Sequence, residues 1–314
     1  MPARHTVLAV VLFWAATICW LLYRDVWPRW RSGEAPPFAI DLAFEAQSQA
    51  SQSTWKIYRG QSRENDKPLG FIHTWVRYDA KDDLFELHSM IQQLDLGQIG
   101  PIQVKAYKRG APGSQSEEPK AIRGLYRVTR EGELRKIETE ATIEITGTGI
   151  ALALPRISAL VKLGGVVQGS RFVPHGSVEL FGQKQELPFE PVEFDSRTSI
   201  LNPLHPVSRI SGLRRGRHWQ LRLVDPLADS LTAMLQKDPA LSILVQKHPR
   251  VQILQAEVLS EMEVLIHEKQ EAPCFVIEYR GDELTARTWV RQSDGKVLRQ
   301  EATFWGERLV FERL

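Results

Sequence analysis

The dominant pattern from residue 38 to the C-terminus is an alternation of hydrophobic and polar positions with a period of two. In the segment from Glu257 to His267, apolar residues alternate with glutamates, and the segment from Glu138 to Thr146 repeats the pattern. This period is typical of a strand with one face in a core and the other in solvent. Turns such as Ser293-Asp294-Gly295 separate successive runs, and these turns are short enough to connect the strands as hairpins. The pattern therefore predicts a large antiparallel sheet.

Two short helices are predicted in one region. Asp225-Pro226 and Asp238-Pro239 each place Asp at an N-cap and Pro at the first helical position. Leu227, Leu231 and Leu235 then share one face, so we expect the pair to pack across the sheet. The predicted fold class is mainly β: an N-terminal transmembrane helix, then an antiparallel curved sheet or incomplete β-barrel with two short covering helices.

One strand, from Gly70 to Asp79, is apolar on both faces. Ile72, Val76 and Tyr78 alternate with Phe71 and other apolar or aromatic residues, so both faces of the strand have to be covered. Helices and loops are expected to cover one face, and a hydrophobic cavity or a ligand could occupy it. Ordinary packing between sheets explains the same residues, and both interpretations stay open here.

The N-terminal segment from Thr6 to Tyr23 is a continuous apolar run. At ~1.5 Å per residue it spans roughly 27 Å, close to the ~30 Å thickness of the hydrocarbon core. Trp20, Tyr23 and Trp27 lie at its C-terminal end, where amphipathic rings favour the headgroup region. No small residues mark a cleavage site, so we predict an uncleaved single-pass anchor whose bilayer contacts include Thr6, Trp20, Tyr23 and Trp27.

The side of the membrane is less firmly indicated. Arg4 precedes the run, whereas Arg24, Arg29 and Arg31 come after it, and this charge count favours a cytoplasmic β domain. An N-terminal anchor with a short tail, however, usually exports the domain that comes after it. We therefore predict that the β domain is periplasmic or extracytoplasmic, although the charge count favours the cytoplasm.

The anchor and its flank occupy residues 1–31, a linker residues 32–37, and the β-rich domain residues 38–314. The stretches Val128 to Thr142 and Val290 to Thr303 align weakly as strand, turn and strand. This similarity suggests two related modules, about 38–200 and 201–314. Independent hairpins with wet outer faces also converge on such a pattern.

Composition and motifs exclude several kinds of function. The net charge is +2, and basic and acidic residues are interleaved, which argues against a nucleic-acid partner. The eight histidines show no metal-ligand spacing, and neither nucleotide-binding nor serine-hydrolase motifs occur. Cys274 lies in an apolar run and is expected to be a core residue. No catalytic residue, metal or cofactor is therefore predicted. A hydrolase is a minor alternative, because an acid and a base could come from the glutamates Glu138, Glu140, Glu144, Glu257, Glu261 and Glu263.

The most individual stretch runs from Asn202 to Leu227. It concentrates arginines beside a tryptophan, an arrangement that suits an anion or a lipid headgroup with an interfacial ring. The alternative is a hairpin turn with solvated arginines. The candidate residues are Arg209, Arg214, Arg215, Arg217 and Trp219.

The C-terminal segment QSDGKVLRQEATFWGERLVFERL, with its Gly turn and final Gly-x-x-Leu-x-Phe strand, resembles the end of the outer-membrane lipoprotein carrier-like superfamily. The resemblance covers about the last 110 residues. It implies an uncharacterised bacterial envelope protein in which helices plug a concave sheet that holds acyl chains. This chain is longer than those carriers and is helix-anchored, so a shuttle function does not follow.

These observations favour a non-enzymatic, membrane-anchored envelope protein that binds a lipid, a lipoprotein or a protein partner on a curved sheet. The alternative is a structural or assembly subunit of an envelope complex.

Overall fold

The computed structural model describes most of the β-rich region and a few residues before it. The described residues are 52–60, 68–92, 94–99, 102–106, 122–130, 132–147, 157–194, 208–223, 225–237, 252–282, 284–304 and 307–314, with the single helical residues Phe13, Trp14, Thr17, Ile18, Trp20, Ala43 and Ala46.

Strands make up most of the described chain. They are β1 (Ser53–Arg59), β2 (Gly70–Asp79), β3 (Leu84–Gln92), β4 (Leu94–Ile99), β5 (Ile102–Ala106), β6 (Ile122–Val128), β7 (Leu134–Gly147), β8 (Ile157–Gln168), β9 (Arg171–Leu180), β10 (Gln183–Glu186), β11 (Val192–Glu193), β12 (His218–Leu223), β13 (Gln252–Val258), β14 (Glu263–His267), β15 (Gln270–Arg280), β16 (Thr285–Arg291), β17 (Val297–Phe304) and β18 (Glu307–Arg313). Helix α1 (Pro226–Lys237) lies between β12 and β13.

All these strands belong to one antiparallel sheet. Neighbouring strands take the order β12, β13, β15, β16, β17, β18, β1, β2, β3, β6, β7, β8 and β9. Strand β14 also pairs with β15, β5 with β7, and β10 and β11 with β9. Among the described strands no pairing joins β12 to β9, so the sheet is open. An open sheet of this width coils strongly. The predicted mainly β, antiparallel fold is confirmed.

The pairing of β18 with β1 joins the last of the described strands to the first of them. Trp55 lies opposite Arg313, whose guanidinium carbon is 5.7 Å from the centre of the indole ring. Trp55 is fully buried, and Ile57 and Ile72 lie on the same face of the sheet. The main hydrophobic core continues along this face, here called the interior face, through Leu254 of β13.

A second core cluster lies on the interior face of β3, β6, β7 and β9. Its members include Phe85, Leu134, Ile137 and Phe172. The ring of Phe172 lies directly on the backbone at Gly165 of β8, where any side chain would overlap it. Strand β8 therefore carries a glycine within a buried face because an aromatic ring takes the space.

A third cluster lies on the opposite face of β15, β16 and β17. Cys274 and Val276 are fully buried there, beside Trp289 and Leu298. The prediction that Cys274 is a core residue is confirmed. Strand β15 is therefore buried on both faces, because the main core covers one face and the third cluster covers the other.

Helix α1 begins where the first Asp-Pro pair predicts it. Leu227, in its first turn, packs against the second cluster. Burial, and to a lesser extent the charge of Asp225, raises the pKa of Tyr126 in β6 to about 12. The start of the helix therefore lies over the interior face. The second predicted helix, which begins at Asp238, falls outside the described residues, so the covering helix pair stays a prediction.

The predicted anchor is described in part. Its described residues are helical, and Thr17 Oγ1 donates a hydrogen bond to the carbonyl of Phe13 at 2.8 Å. Trp20 is 64% exposed. Thr6, Tyr23, Trp27 and the 32–37 linker lie outside the described residues. Within the residues that are described, no helix is both long and apolar enough to cross a membrane.

The two weakly similar stretches both form hairpins of the sheet. One joins β6 to β7 and the other joins β16 to β17. Each hairpin has a register shift at the matching place, between Arg127 and Val128 in the first and between Trp289 and Val290 in the second. A division into two modules stays a prediction.

Candidate functional site

A cavity of about 430 Å³ opens at the end of the β2–β3 hairpin, on the interior face of the sheet. Val76 and Tyr78 of β2 and Phe85 of β3 form its sheet side, because alternate residues of a strand face the same way. Its lining residues are Ala43, Ala46, Val76, Arg77, Tyr78, Phe85 and Arg130. The lining therefore combines an apolar wall, which includes Val76 and Phe85, with a polar mouth.

The polar mouth is a set of three side chains. Tyr78 donates a hydrogen bond to Asp83 Oδ1 at 2.5 Å, and Arg130 Nε donates to the same oxygen at 3.0 Å. Arg130 Nη2 also donates to the Tyr78 hydroxyl at 2.9 Å. The guanidinium carbon lies 5.6 Å from the centre of the Tyr78 ring. An arginine and a phenol thus converge on one carboxylate.

The register of three strands brings these residues together. Tyr78 lies opposite Phe85, and Phe85 lies opposite Val128, two residues before Arg130. Asp83 is the last residue of the β2–β3 turn and has a φ of 54°, a left-handed conformation that Asp tolerates better than most residues. The hydrogen bond from Tyr78, and then that from Arg130, hold the pKa of Asp83 below its usual range. Asp83 is therefore an anion at neutral pH.

The opposite face of the same strands carries a second polar cluster. The rings of Trp75 and His88 stack at 4.9 Å with an angle of 3° between their planes. His88 Nε2 lies 3.2 Å from Glu86 Oε2, and Arg127 Nη2 lies 2.7 Å from Glu86 Oε1. Glu86 is only 7% exposed. The charge of Glu86 is therefore paired, and the ring of His88 is stacked on Trp75. These contacts between neighbouring strands stabilise the part of the sheet that forms the cavity wall.

The predicted arginine segment in part runs beside the turn between β16 and β17. Arg214 and Arg215 are exposed, as the sequence suggested. Arg209 forms a β-bridge with Lys296. Arg217 Nη1 donates to the carbonyl of Gly212 at 2.9 Å, which closes the turn before β12.

Trp219 differs from its expected role. It is 3% exposed, and its ring meets that of Tyr279 edge-on at 6.4 Å. The cause is its position opposite Ala256 in the β12–β13 pair, which directs the ring to the interior face. Trp219 is a core residue and does not present an interfacial ring. Headgroup contact by the arginines stays a prediction.

In the structure, further cations that are distant in sequence lie near the arginine segment. Arg313 Nη1 donates to the carbonyl of Ser208 at 2.8 Å, although the two residues are far apart in the chain. Arg291, Arg313 and Lys296 are all close enough to lower the pKa of His267, after the larger effect of burial. The turn between β16 and β17 and the end of β18 therefore lie beside the arginine segment. Only the register of the sheet could have identified this basic region.

Among the described residues, no three His, Cys, Asp or Glu side chains are grouped so as to hold a metal ion. What the arrangement offers chemically is recognition of an apolar group with a polar end.

Comparison with known proteins adds little to this description. No family model matches the chain, and no curated protein matches it. Among solved structures, the chain is similar to a β-barrel-like protein of the domain of unknown function DUF1849 from Brucella abortus. The two share 8% sequence identity over 84% of this chain and 94% of that chain, with a TM-score of 0.37. A likeness this low carries no inference about function.

Proposed function

We propose that this protein is a non-enzymatic binding protein that holds an apolar ligand, such as the acyl chain of a lipid, in the cavity on its interior face. The observation that carries the proposal is the cavity of about 430 Å³ over Val76 and Phe85. Ligand pockets commonly have volumes of about 300–1,000 Å³, apolar walls and a few convergent polar groups. The volume of this cavity lies in that range, and its lining combines the apolar side chains of Val76 and Phe85 with the polar groups of Tyr78 and Arg130.

The carboxylates support binding rather than catalysis. Lys136 Nζ lies 2.7 Å from Glu138 Oε1, and Trp289 donates to Glu263 Oε2 at 2.8 Å. At Glu278 burial raises the pKa, but hydrogen bonds from two arginines outweigh it and leave the pKa lowered. A general acid needs a raised pKa near the working pH. These glutamates are thus engaged in ways that disfavour the hydrolase alternative.

In this proposal the segment from Thr6 to Tyr23 anchors the protein to a bilayer, and the two predicted helices cover the sheet. The β domain is extracytoplasmic, where it meets lipid or envelope proteins. A fusion of alkaline phosphatase after Leu314 tests the location: activity in intact cells is expected. Activity that appears only after lysis would contradict it.

The binding proposal is tested by filling the cavity. Val76→Trp places an indole in the cavity, whereas Val264→Trp makes the same exchange on β14 at a side chain that is 57% exposed. Both variants and the wild-type protein are purified in mild detergent and analysed by native mass spectrometry. We expect a bound lipid in the wild type and in Val264→Trp, and roughly tenfold less occupancy in Val76→Trp. Equal occupancy in all three proteins, or none in the wild type, contradicts the proposal.

A second candidate function is that of an assembly subunit. The apolar side chains of Val264 and Ile266 are 57% and 72% exposed on β14, and within the described part of the chain β14 pairs only with β15. A strand with a free edge and apolar side chains is a site for pairing with another chain. The same two variants distinguish the candidates, because a protein partner would be lost from Val264→Trp and retained by Val76→Trp.

A further inference from the structure

We infer that the cavity selects amphiphiles with a single anionic head, of the carboxylate type, and that Arg130 and Tyr78 bind this head while the apolar tail lies along Val76 and Phe85. The inference rests on the proposed function and names the ligand class for the same cavity. Asp83 makes the contacts that the ligand head would make.

The first argument is the geometry around Asp83. One carboxylate oxygen accepts hydrogen bonds from the Tyr78 hydroxyl at 2.5 Å and from Arg130 Nε at 3.0 Å, and Arg130 Nη2 lies 2.9 Å from the same oxygen. Charge-assisted hydrogen bonds from a guanidinium are the strong form of carboxylate recognition. The contacts therefore show how the mouth of the cavity binds a carboxylate.

The second argument is position. Tyr78 and Arg130 line the cavity together with Val76 and Phe85, and the rings of Tyr78 and Phe85 lie 5.1 Å apart. A head held by Arg130 and Tyr78 therefore has an apolar wall directly behind it. An amphiphile contacts both parts, because its head binds at the polar mouth and its tail packs on the apolar wall. A small polar anion would contact the mouth alone.

The third argument is that Asp83 is replaceable. The side chains of Arg130 and Asp83 are 61% and 62% exposed. Exposed ion pairs contribute little net free energy, so exchange of one carboxylate for another has a small cost. Asp83 also belongs to a turn rather than to a strand, and a turn can move without disrupting the ladder of the sheet.

The neighbouring charges leave Arg130 available to such a ligand. Asp82 Oδ2 lies 3.5 Å from Arg127 Nη1, and Glu133 Oε2 lies 3.2 Å from Arg135 Nη2. These carboxylates have cationic partners of their own. Displacement of Asp83 therefore exposes a guanidinium that attracts an anion.

The test compares two ligands that differ only in the head. Lauric acid and lauryl alcohol are titrated into the full-length protein in detergent at neutral pH, and dissociation constants are measured by calorimetry. We expect the acid to bind about threefold more tightly, the size of effect that one exposed ion pair has. Arg130→Met should remove this difference. The control Arg135→Met changes the same residue type at a side chain that is 47% exposed, and it should retain the difference.

Asp83→Asn gives the sharper result, because Asn tolerates the left-handed backbone of this position and removes only the competing charge. We expect it to tighten binding of the acid about threefold to tenfold and to leave binding of the alcohol unchanged. Equal binding of acid and alcohol, with no effect of either variant, overturns the inference but leaves the proposed function intact. Failure of both ligands and of co-purifying lipid overturns the proposed function itself.

Discussion

The packing of Phe172 on Gly165 gives a prediction whose magnitude is set by distances. A Cβ added to Gly165 would lie 2.2 Å from Phe172 Cζ and 2.6 Å from Cε1. Phe172 is fully buried and packs against Phe194 with a centroid distance of 6.3 Å, so its ring cannot move outward without loss of contacts. Overpacking of this kind costs about 1–3 kcal/mol. The lower backbone entropy of Ala in the unfolded chain offsets about 0.5–1 kcal/mol.

We therefore expect Gly165→Ala to lower the free energy of unfolding by about 1–2 kcal/mol. The assay is urea denaturation monitored by far-ultraviolet circular dichroism. Phe172→Leu shortens the ring side chain and should itself cost about 1–2 kcal/mol through lost burial. In that background Gly165→Ala should become nearly neutral, which gives a coupling energy of about 1–2 kcal/mol in a double-mutant cycle.

Gly182→Ala is the control for backbone effects. Gly182 has a φ of 76° and no atom within 4 Å of an added Cβ, so any cost there arises from the backbone alone. That cost should be the same with Phe or Leu at position 172. A neutral Gly165→Ala variant, or one whose cost persists in the Phe172→Leu background, refutes the packing argument.

Two further predictions concern titration. The hydrogen bond from Arg291 holds the pKa of Asp294 down to about 2, so its stabilising contribution is complete above pH ~4 and is lost as the pH falls towards 2. Because the Asp294 side chain still contacts solvent, we expect about 1 kcal/mol from it. Asp294→Asn should flatten the dependence of the urea midpoint on pH over that range, and an unchanged dependence would contradict this. Burial raises the pKa of the Cys274 thiol to about 11, so in a Cys19→Ser background the folded protein should resist Ellman's reagent at pH ~8 and react once urea unfolds it; rapid labelling of the folded protein contradicts this.

Local sequence pattern predicted the features that depend on neighbouring residues. Alternation identified the strands, and the Asp-Pro pair identified the start of α1. The strand from Gly70 to Asp79 was predicted to need cover on both faces because its apolar residues do not alternate with charged ones. In the structure, one face of its C-terminal half lines the cavity, and the other carries Trp75 stacked on His88.

Features that depend on strand register could not be predicted in this way. Trp219 comes after a run of arginines, so its neighbours in the chain suggested an interface. Its partner across the β12–β13 pair is Ala256, and that pairing directs the ring into the core. Arg313 likewise reaches Ser208 only because the last of the described strands pairs with the first of them.

The residues at the cavity mouth are also brought together by strand register. Tyr78 and Arg130 lie 52 residues apart, and neither belongs to a motif. Local charge density favoured the arginine segment, where several cations are close in sequence, and Arg130 was not a candidate. The proposed ligand, an amphiphile, requires a cation next to an apolar wall, because the wall contacts the tail and the cation contacts the head. In this fold the pairing of β2, β3 and β6 creates that combination at Arg130. Arg214 and Arg215, which the sequence favoured, are exposed and do not line the cavity.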